Sequence, residues 1–181
     1  MLSEYGKFAE VSSLPKKRRE LRYYLAGFAD AEGCFSVSLK KQGGTRFGWV
    51  LDPVFHVTQN EQGRNVLELF VREMGCGRIM PKPGQQQTLQ FYVDNRRQLK
   101  EKVLPFFRQY QLLVKGKDFG LFAEIVEALE RKEHGDAGKF KVLVQKAFRM
   151  NLEGKQRRHE LEGILRDVDE RGSSETIRRT P

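Results

Sequence analysis

The spacing of hydrophobic residues along this chain switches between two periods. Polar and apolar residues alternate in some segments, as in strands with one buried face, whereas other segments carry apolar residues at helical spacing. The spacing predicts, in chain order, strands at 34–40 and 49–58 around a turn at 42–45, a helix at 61–74, strands at 78–82 and 88–93, and a helix at 96–108. One strand–strand–helix unit therefore follows another.

Further helical segments flank these two units. They are predicted at 20–31, 119–131, 139–151 and 155–171, and residues 172–179 resemble a polar, basic tail. The order predicts an α+β fold with a four-stranded antiparallel sheet. A chain of 181 residues has room for one domain. We divide this domain into a basic leader (1–19), a core (20–131) and C-terminal helices with the tail (132–181).

Alternation also assigns each strand residue to one of two sheet faces. One set is apolar and is expected to pack beneath the helices: Phe35, Val37, Leu39, Phe55, Val57, Leu89, Phe91 and Val93. The other set mixes positive charge with hydroxyls and amides, which are the groups that bind phosphates and read base edges. A merely solvated face is the alternative, because polar residues point outward in any half-buried sheet.

Charge narrows the class of partner. The net charge of +9 and the isoelectric point near 9.7 favour a polyanion, with nucleic acid preferred to an acidic membrane surface. No apolar run could cross a bilayer and no export signal is recognised, so we expect neither membrane association nor secretion. Cys34 and Cys76 lack zinc-site spacing, and the isolated His56, His134 and His159 form no metal-ligand pattern.

Residues 25–33, Leu-Ala-Gly-Phe-Ala-Asp-Ala-Glu-Gly, place two acids at the end of a predicted helix. The C-terminal end of a helix carries partial negative charge, so acids are disfavoured there unless a cation offsets them. The segment therefore indicates a cation site. The alternative is an ordinary helix end, with Gly33 as a left-handed cap and the acids solvated.

The same nine residues resemble the signature of the LAGLIDADG homing endonucleases, with six identical letters and Glu32 in place of aspartate. The resemblance implies an αββαββα fold whose four-stranded antiparallel sheet forms a DNA-binding saddle, followed by C-terminal helices. With one motif per chain, it implies a homodimer in which the motif helices meet through Leu25, Ala26, Gly27 and Phe28.

The resemblance also implies an activity. It is site-specific double-strand DNA cleavage at a long pseudo-palindromic target, by Mg²⁺-dependent phosphodiester hydrolysis that leaves a staggered break. Mn²⁺ and other divalent ions are expected to substitute for Mg²⁺. The gene is expected to lie within an intron or intein-like element, and the protein to work in the cytoplasm at the nucleoid or in an organellar matrix.

Individual roles follow by the same resemblance. Glu32 matches the metal-binding acid and the carbonyl of Ala31 the group that shares the ion, whereas Asp30 matches an acid that is more structural than catalytic. Gln59 would position water, and Lys115, with Lys117 as a neighbour, would offset developing negative charge. The family also places an arginine shortly after the pocket glutamine; here the ungapped position is Gly63, with Arg64 next to it, which leaves the role of that arginine open.

We expect DNA contacts from the polar face, the hairpin tips and two outlying basic residues. Glutamine at a hairpin tip can form two hydrogen bonds with adenine. The alternative is that the glutamines simply make a soluble turn. The tail segment around Arg178 resembles a family segment near the DNA backbone. The candidates are Ser36, Ser38, Lys40, Lys41, Gln42, Arg46, Asp52, His56, Arg64, Arg78, Met80, Lys82, Gln85, Gln86, Gln87, Thr88, Gln90, Tyr92, Lys117 and Arg178.

Two other functions are compatible with the same fold. One is an intron RNA maturase, which would bind RNA and assist splicing. The other is a non-catalytic DNA-binding regulator, which would be expected to have lost the acid or to carry an added helix-turn-helix. The presence of Glu32 and Lys115 favours the nuclease. The helices predicted after residue 139 leave the DNA-binding regulator as an alternative.

Overall fold

A computed structural model describes residues 17–151 and 159–178, without the side chains of Gln86 and residues 173–178. The predicted leader therefore lies almost entirely outside the described residues, as does the start of the predicted helix at 155–171. No helix within the described ranges is long and apolar enough to cross a membrane.

The structure has the predicted succession of elements. They are α1 (Arg18–Glu32), β1 (Gly33–Lys41), β2 (Trp49–Asn60), α2 (Arg64–Met74), β3 (Arg78–Lys82), β4 (Gln85–Val93), α3 (Arg96–Gln98), α4 (Leu104–Gln109), α5 (Gly116–Glu130), α6 (Ala137–Arg149) and α7 (Leu161–Arg178). A π-helical turn, Leu99–Val103, joins α3 to α4, so these three pieces together make the helix predicted at 96–108. The α+β class is confirmed.

The predicted polar tail is wrong, because α7 continues through Arg178. Its last turns contain no proline, and their polar residues gave no apolar periodicity from which a helix could be recognised. The start of β4 also differs from the prediction. It begins at Gln85, because Lys82 pairs with Gln85 around the two-residue turn Pro83–Gly84. The glutamine run therefore belongs to a strand.

The four strands form one antiparallel sheet in the order β1-β2-β4-β3. The predicted faces are confirmed: seven of the eight residues expected beneath the helices are buried, and Leu39 is partly buried. Aromatic rings occupy the centre of the core. Phe35 stacks on Phe55 with ring centroids 4.7 Å apart, and the edge of Phe107 meets Phe35 at 5.3 Å.

The first helix runs into the first strand with no intervening residue. Gly33 has φ −82° and ψ 159°, so it is extended and the predicted alternative of a left-handed cap is wrong. A Cβ at position 33 would lie 2.5 Å from the carbonyl oxygen of Ala29, which excludes every residue except glycine. Because Gly33 pairs with Val57, the end of α1 lies beside the far end of β2.

The last helix braces the β1–β2 hairpin. The indole Nε1 of Trp49 donates to Asp167 Oδ2 at 2.9 Å, and the ring of His159 meets the Trp49 ring edge-on at 4.8 Å. The Lys41 ammonium lies 5.2 Å from the Trp49 ring centroid and 3.7 Å from Asp167 Oδ2. The hairpin that carries several predicted DNA contacts is therefore held by α7.

Candidate functional site

Glu32, the predicted metal ligand, is the last residue of α1 and its side chain is exposed. Within the described ranges, no residue donates a hydrogen bond to its carboxylate or forms an ion pair with it. Such a carboxylate is available to a cation or to another molecule.

Asp30 has the structural role that the resemblance implies. Its carboxylate accepts hydrogen bonds from three consecutive backbone N–H groups, those of Leu113 at 2.8 Å, Val114 at 2.9 Å and Lys115 at 2.7 Å. Partial burial acts to raise the pKa of Asp30, but these N–H donors and the nearby Lys115 charge outweigh it and hold the pKa below its usual value. Asp30 therefore fixes the loop that carries Lys115.

The side chain of Lys115 returns to the end of α1. Its ammonium donates to the backbone carbonyl of Asp30 and, at 2.8 Å, to that of Ala31. The last carbonyls of a helix have no partner within the helix and attract positive charge. The structure thus brings Lys115 to the Ala31 carbonyl and next to Glu32, as the predicted site requires.

Gln59 lies near the C-terminal end of β2, two residues beyond Val57, which pairs with Gly33. Its Oε1 accepts the backbone N–H of Asn60 at 3.1 Å, and a Cβ at Gly63 would come within 2.7 Å of the same oxygen. The Arg64 guanidinium binds Glu61 at 2.6 Å. Arg64 is therefore engaged with an acid three residues away in its own chain.

Among the described residues, no three histidine, cysteine, aspartate or glutamate side chains converge on a point that could hold a metal ion. The oxygens available at this end of α1 are the Glu32 carboxylate and the Ala31 carbonyl. Further ligands for an ion would have to come from water, from a bound phosphate or from a second copy of the chain.

The polar face of the sheet has the predicted membership. Register places Arg78 beside Tyr92 and Tyr92 beside His56, forming one row across three strands. Burial, together with the charge of Lys82, lowers the pKa of His56. The candidates with exposed side chains are Ser38, Lys40, Lys41, Gln42, Arg46, Arg64, Arg78, Gln85, Gln87 and Lys117, and those partly buried are Ser36, Asp52, His56, Met80, Lys82, Thr88 and Tyr92. The side chains of Gln86 and Arg178 lie outside the described part.

The structure contradicts the predicted role of Gln90. Its side chain is only 5% exposed, and its Nε2 donates to Thr58 Oγ1 at 3.2 Å. Register places Gln90 between Thr58 and Met80, which flank it on the neighbouring strands. The amide is therefore committed within the protein and is not presented to a base.

Most basic candidates on this surface already have partners. Lys40 binds Asp52 across the hairpin, and the Arg46 guanidinium donates to the carbonyl of Gly135. Arg78 forms two bonds with Asp94, each 2.8 Å long. Asp94 is not among the DNA contacts predicted from sequence, although continued alternation from Gln90 and Tyr92 would have placed it on this face.

The predicted dimer contacts on α1 need a correction. Leu25 and Ala26 are buried in the core of their own chain, at 0% and 2% exposure, so their side chains are not available to a partner helix. Gly27 is exposed and Phe28 partly exposed. The open face of α1 instead follows helical spacing through Tyr23, Tyr24, Gly27 and Ala31.

Comparison with known proteins agrees with this geometry. A family model described as LAGLIDADG endonuclease matches residues 25–126. Homing endonuclease I-ApeII of Aeropyrum pernix is 36% identical over 152 residues, which cover 82% of this chain and 90% of that protein. DNA endonuclease I-CeuI of Chlamydomonas moewusii is 38% identical over 121 residues, 65% of this chain, and the match spans 56% of its length.

A solved structure shows the same fold. The archaeal intron-encoded homing endonuclease I-Vdi141I, complexed with DNA, superposes with a TM-score of 0.81 at 36% identity, covering 87% of this chain and 99% of that one. The family model covers more than half of the present sequence, and the motif residues within it form the junction of α1 and β1. The chain belongs to the LAGLIDADG endonuclease family.

Proposed function

We propose that this protein is a site-specific double-strand DNA endonuclease of the homing type, acting as a homodimer on a long pseudo-palindromic target. The observation that carries the proposal is the end of α1, where an exposed Glu32, with no partner among the described residues, lies next to the Lys115 ammonium. The polar face of the sheet starts at the same junction, since β1 follows Glu32 directly.

The family implies a divalent metal, and the oxygens at this junction suit Mg²⁺, for which Mn²⁺ can substitute. The Glu32 carboxylate and the Ala31 carbonyl would hold the ion. A carbonyl oxygen has two lone pairs, so the bond from Lys115 leaves one lone pair available. When bound, the ion would stabilise negative charge on the phosphodiester and favour a deprotonated water.

The other residues act by position and charge. Lys115 provides a cation beside the scissile phosphate, where negative charge increases in the transition state. Asp30 keeps that cation in place through the backbone of residues 113–115. Gln59 can orient the attacking water through its amide, once that amide is released from its contact with Asn60.

A homodimer follows from the open face of α1. One chain supplies one Glu32, and cleavage of both strands requires two. Pairing the exposed stripe through Tyr24, Gly27 and Ala31 around a twofold axis would bring the two helix ends together. The target would then consist of two related half-sites.

The decisive experiment uses plasmid DNA that carries the uninterrupted sequence found where the gene's host intron or intein is absent. With Mg²⁺, the wild-type protein should linearise the plasmid, whereas Glu32→Gln should bind the same DNA without cutting it. Glu20→Gln is the matched control, because it removes the same charge from an exposed residue of the same helix. It should cut at the wild-type rate.

Equal cleavage by wild type and Glu32→Gln would contradict the assignment of Glu32. Failure of the wild type to cut, together with tight binding of the intron transcript, would instead identify an RNA maturase. Specific DNA binding by the wild type without cleavage would identify a regulator.

A further inference from the structure

An arginine, a tyrosine and an aspartate form one connected unit on the polar face of the sheet. Arg78 on β3 is the register partner of Tyr92 on β4, and Asp94 follows two residues later on the same face. Arg78 Nη1 donates to Asp94 Oδ1 and Nη2 to Asp94 Oδ2, each at 2.8 Å. The guanidinium carbon lies 5.1 Å from the centroid of the Tyr92 ring.

These contacts define where the remaining donors of Arg78 are. The two bonds to Asp94 use one hydrogen on each Nη, which leaves the Nε–H and a second hydrogen on each Nη. The Nε–H and the nearer Nη–H form an adjacent pair on a second edge of the planar group. The Arg78 side chain is 54% exposed, so this edge can be reached from outside the protein.

Stability alone does not account for the arrangement. An exposed ion pair contributes about 0–1 kcal/mol to folding and requires the side chain to give up rotamer freedom. The Asp94 carboxylate and the Tyr92 ring together restrict a long side chain that would otherwise be mobile. The benefit of such restriction lies in recognition, because a pre-oriented donor pair loses less entropy on binding.

The charge of the unit favours a base over a phosphate. Arg78 and Asp94 together carry no net charge, and a carboxylate next to the guanidinium disfavours a second anion. A base edge presents neutral acceptors, and the O6 and N7 atoms of guanine match two adjacent N–H donors.

We propose that Arg78 reads one guanine in each half-site of the DNA target and that Asp94 is the residue that positions it. This inference rests on the proposed function, since it assigns a base to the sheet of a DNA-binding protein. Tyr92 supports the guanidinium from one side, and His56 stacks on Tyr92 with ring centroids 6.3 Å apart. The twofold symmetry of a homodimer places an equivalent guanine in the second half-site.

Lys82 provides a matched contrast on the same strand. Among the described residues, it forms no ion pair, and its charge is therefore free to bind a phosphate. Arg78 and Lys82 are thus predicted to affect binding in different ways, although each substitution removes one positive charge from β3.

The test measures the dissociation constant of each protein for a panel of targets in which every base pair of the preferred sequence is changed singly. The wild type should favour one G·C pair in each half-site by about 5- to 150-fold, the range expected for a bidentate contact. Arg78→Ala should abolish the preference at that pair and leave the other positions unchanged. Arg78→Lys, which keeps the charge but not the donor pair, should abolish it too.

Asp94→Asn should reduce the same preference while strengthening binding to unrelated DNA, because the guanidinium is no longer neutralised. Lys82→Ala should weaken binding to every target by a similar factor, and should reduce the salt dependence. The inference would be overturned if Arg78→Ala weakened binding to all targets equally, or if the affected base pair were not G·C. Neither result would contradict the proposed endonuclease function. A wild type with no preferred target would overturn the proposed function as well.

Discussion

The backbone N–H of Lys115 donates to the Asp30 carboxylate at 2.7 Å, while the Lys115 ammonium returns to the main-chain carbonyl of the same aspartate. The two residues are 85 positions apart in the chain. Each therefore fixes the other, and the Asp30 carboxylate determines where the Lys115 ammonium lies. A substitution of the Asp30 side chain removes the first contact and leaves the main-chain carbonyl of the second in place.

Asp30→Asn should release the loop at 113–115. Three backbone N–H groups donate to the two oxygens of the carboxylate, whereas an amide has one acceptor oxygen, no charge and an NH₂ group that cannot accept. We expect a loss of about 1.5–3 kcal/mol in the free energy of unfolding and a fall in cleavage rate of up to about 100-fold as Lys115 moves. Hydrogen exchange of the amides of residues 113–115 measures the release. Glu68→Gln, at an exposed position of α2, is the control.

The same aspartate predicts a pH dependence of stability. Its pKa is lower in the folded protein than the ordinary value of 3.8, so its contribution is complete above about that pH and is lost as pH falls through the folded pKa. Urea unfolding at pH 7 and pH 3 should show a smaller decline for Asp30→Asn than for wild type. An identical decline in both proteins would contradict this account.

Gly63→Ala should impair catalysis with little effect on folding. The added Cβ would lie 2.7 Å from Gln59 Oε1 and 2.9 Å from its Cδ, both atoms of a flexible side chain that can move away. We expect a stability change within about 0.5 kcal/mol and roughly a 10-fold lower cleavage rate. Gly120→Ala is the control, since a Cβ there meets nothing within 4 Å. A normal cleavage rate in Gly63→Ala would show that Gln59 does not act in the pocket.

Asp167→Asn should loosen the contact between α7 and the β1–β2 hairpin and release Lys41. The hydrogen bond from Trp49 becomes one between neutral groups, at a cost of about 1 kcal/mol, and the freed lysine should steepen the salt dependence of DNA binding by about one unit. The chain has a single tryptophan, so the emission of the protein reports on the surroundings of Trp49.

Asp169→Asn is the matched control for that experiment. It removes the same charge from the same helix, but Asp169 binds Lys141 on α6 at 2.7 Å. Trp49 emission and DNA binding should both remain unchanged in this variant. If both variants shifted the emission equally, the effect would come from net charge rather than from the hairpin contact.

Gly77→Ala should be strongly destabilising. Gly77 has φ +79°, and a Cβ there would lie 2.5 Å from Phe91 Cε2 and 2.8 Å from Val93 Cγ2, both in the core. We expect a loss of about 2–5 kcal/mol from backbone strain and overpacking together. Gly75→Ala shares the left-handed backbone, at φ +63°, but its Cβ would meet nothing within 4 Å. Thermal melts should show a loss of only about 1–2 kcal/mol for it.

The strands were predictable because alternation reports burial directly, so Phe35, Phe55 and Phe91 could be assigned to the core from sequence. The same pattern could not show which residues of the polar face are themselves buried. Gln90 has the polarity of a base contact, yet it is buried and bonded to Thr58, a neighbour that only the pairing of β2 with β4 brings to it.

The active-site prediction was also limited to what the local sequence can show. A motif names the residues of α1 but does not state which of its sides faces the protein's own core, so Leu25 and Ala26 were assigned to a partner although they are buried. The contact between Asp30 and the loop at 113–115 spans more than 80 residues and has no local signal. The pairing of Arg78 with Asp94 likewise became visible only once both side chains were placed.

The direct passage from Glu32 into Gly33 has a consequence for how such a protein can change its target. No residue separates the acid from the strand, so the offset between Glu32 and the side chains of β1 is a fixed length of backbone. Inserting one residue there would turn every β1 side chain to the opposite face. Changes in recognition can therefore arise by exchanging side chains along the strands, whereas the position of the strand relative to the acid stays the same.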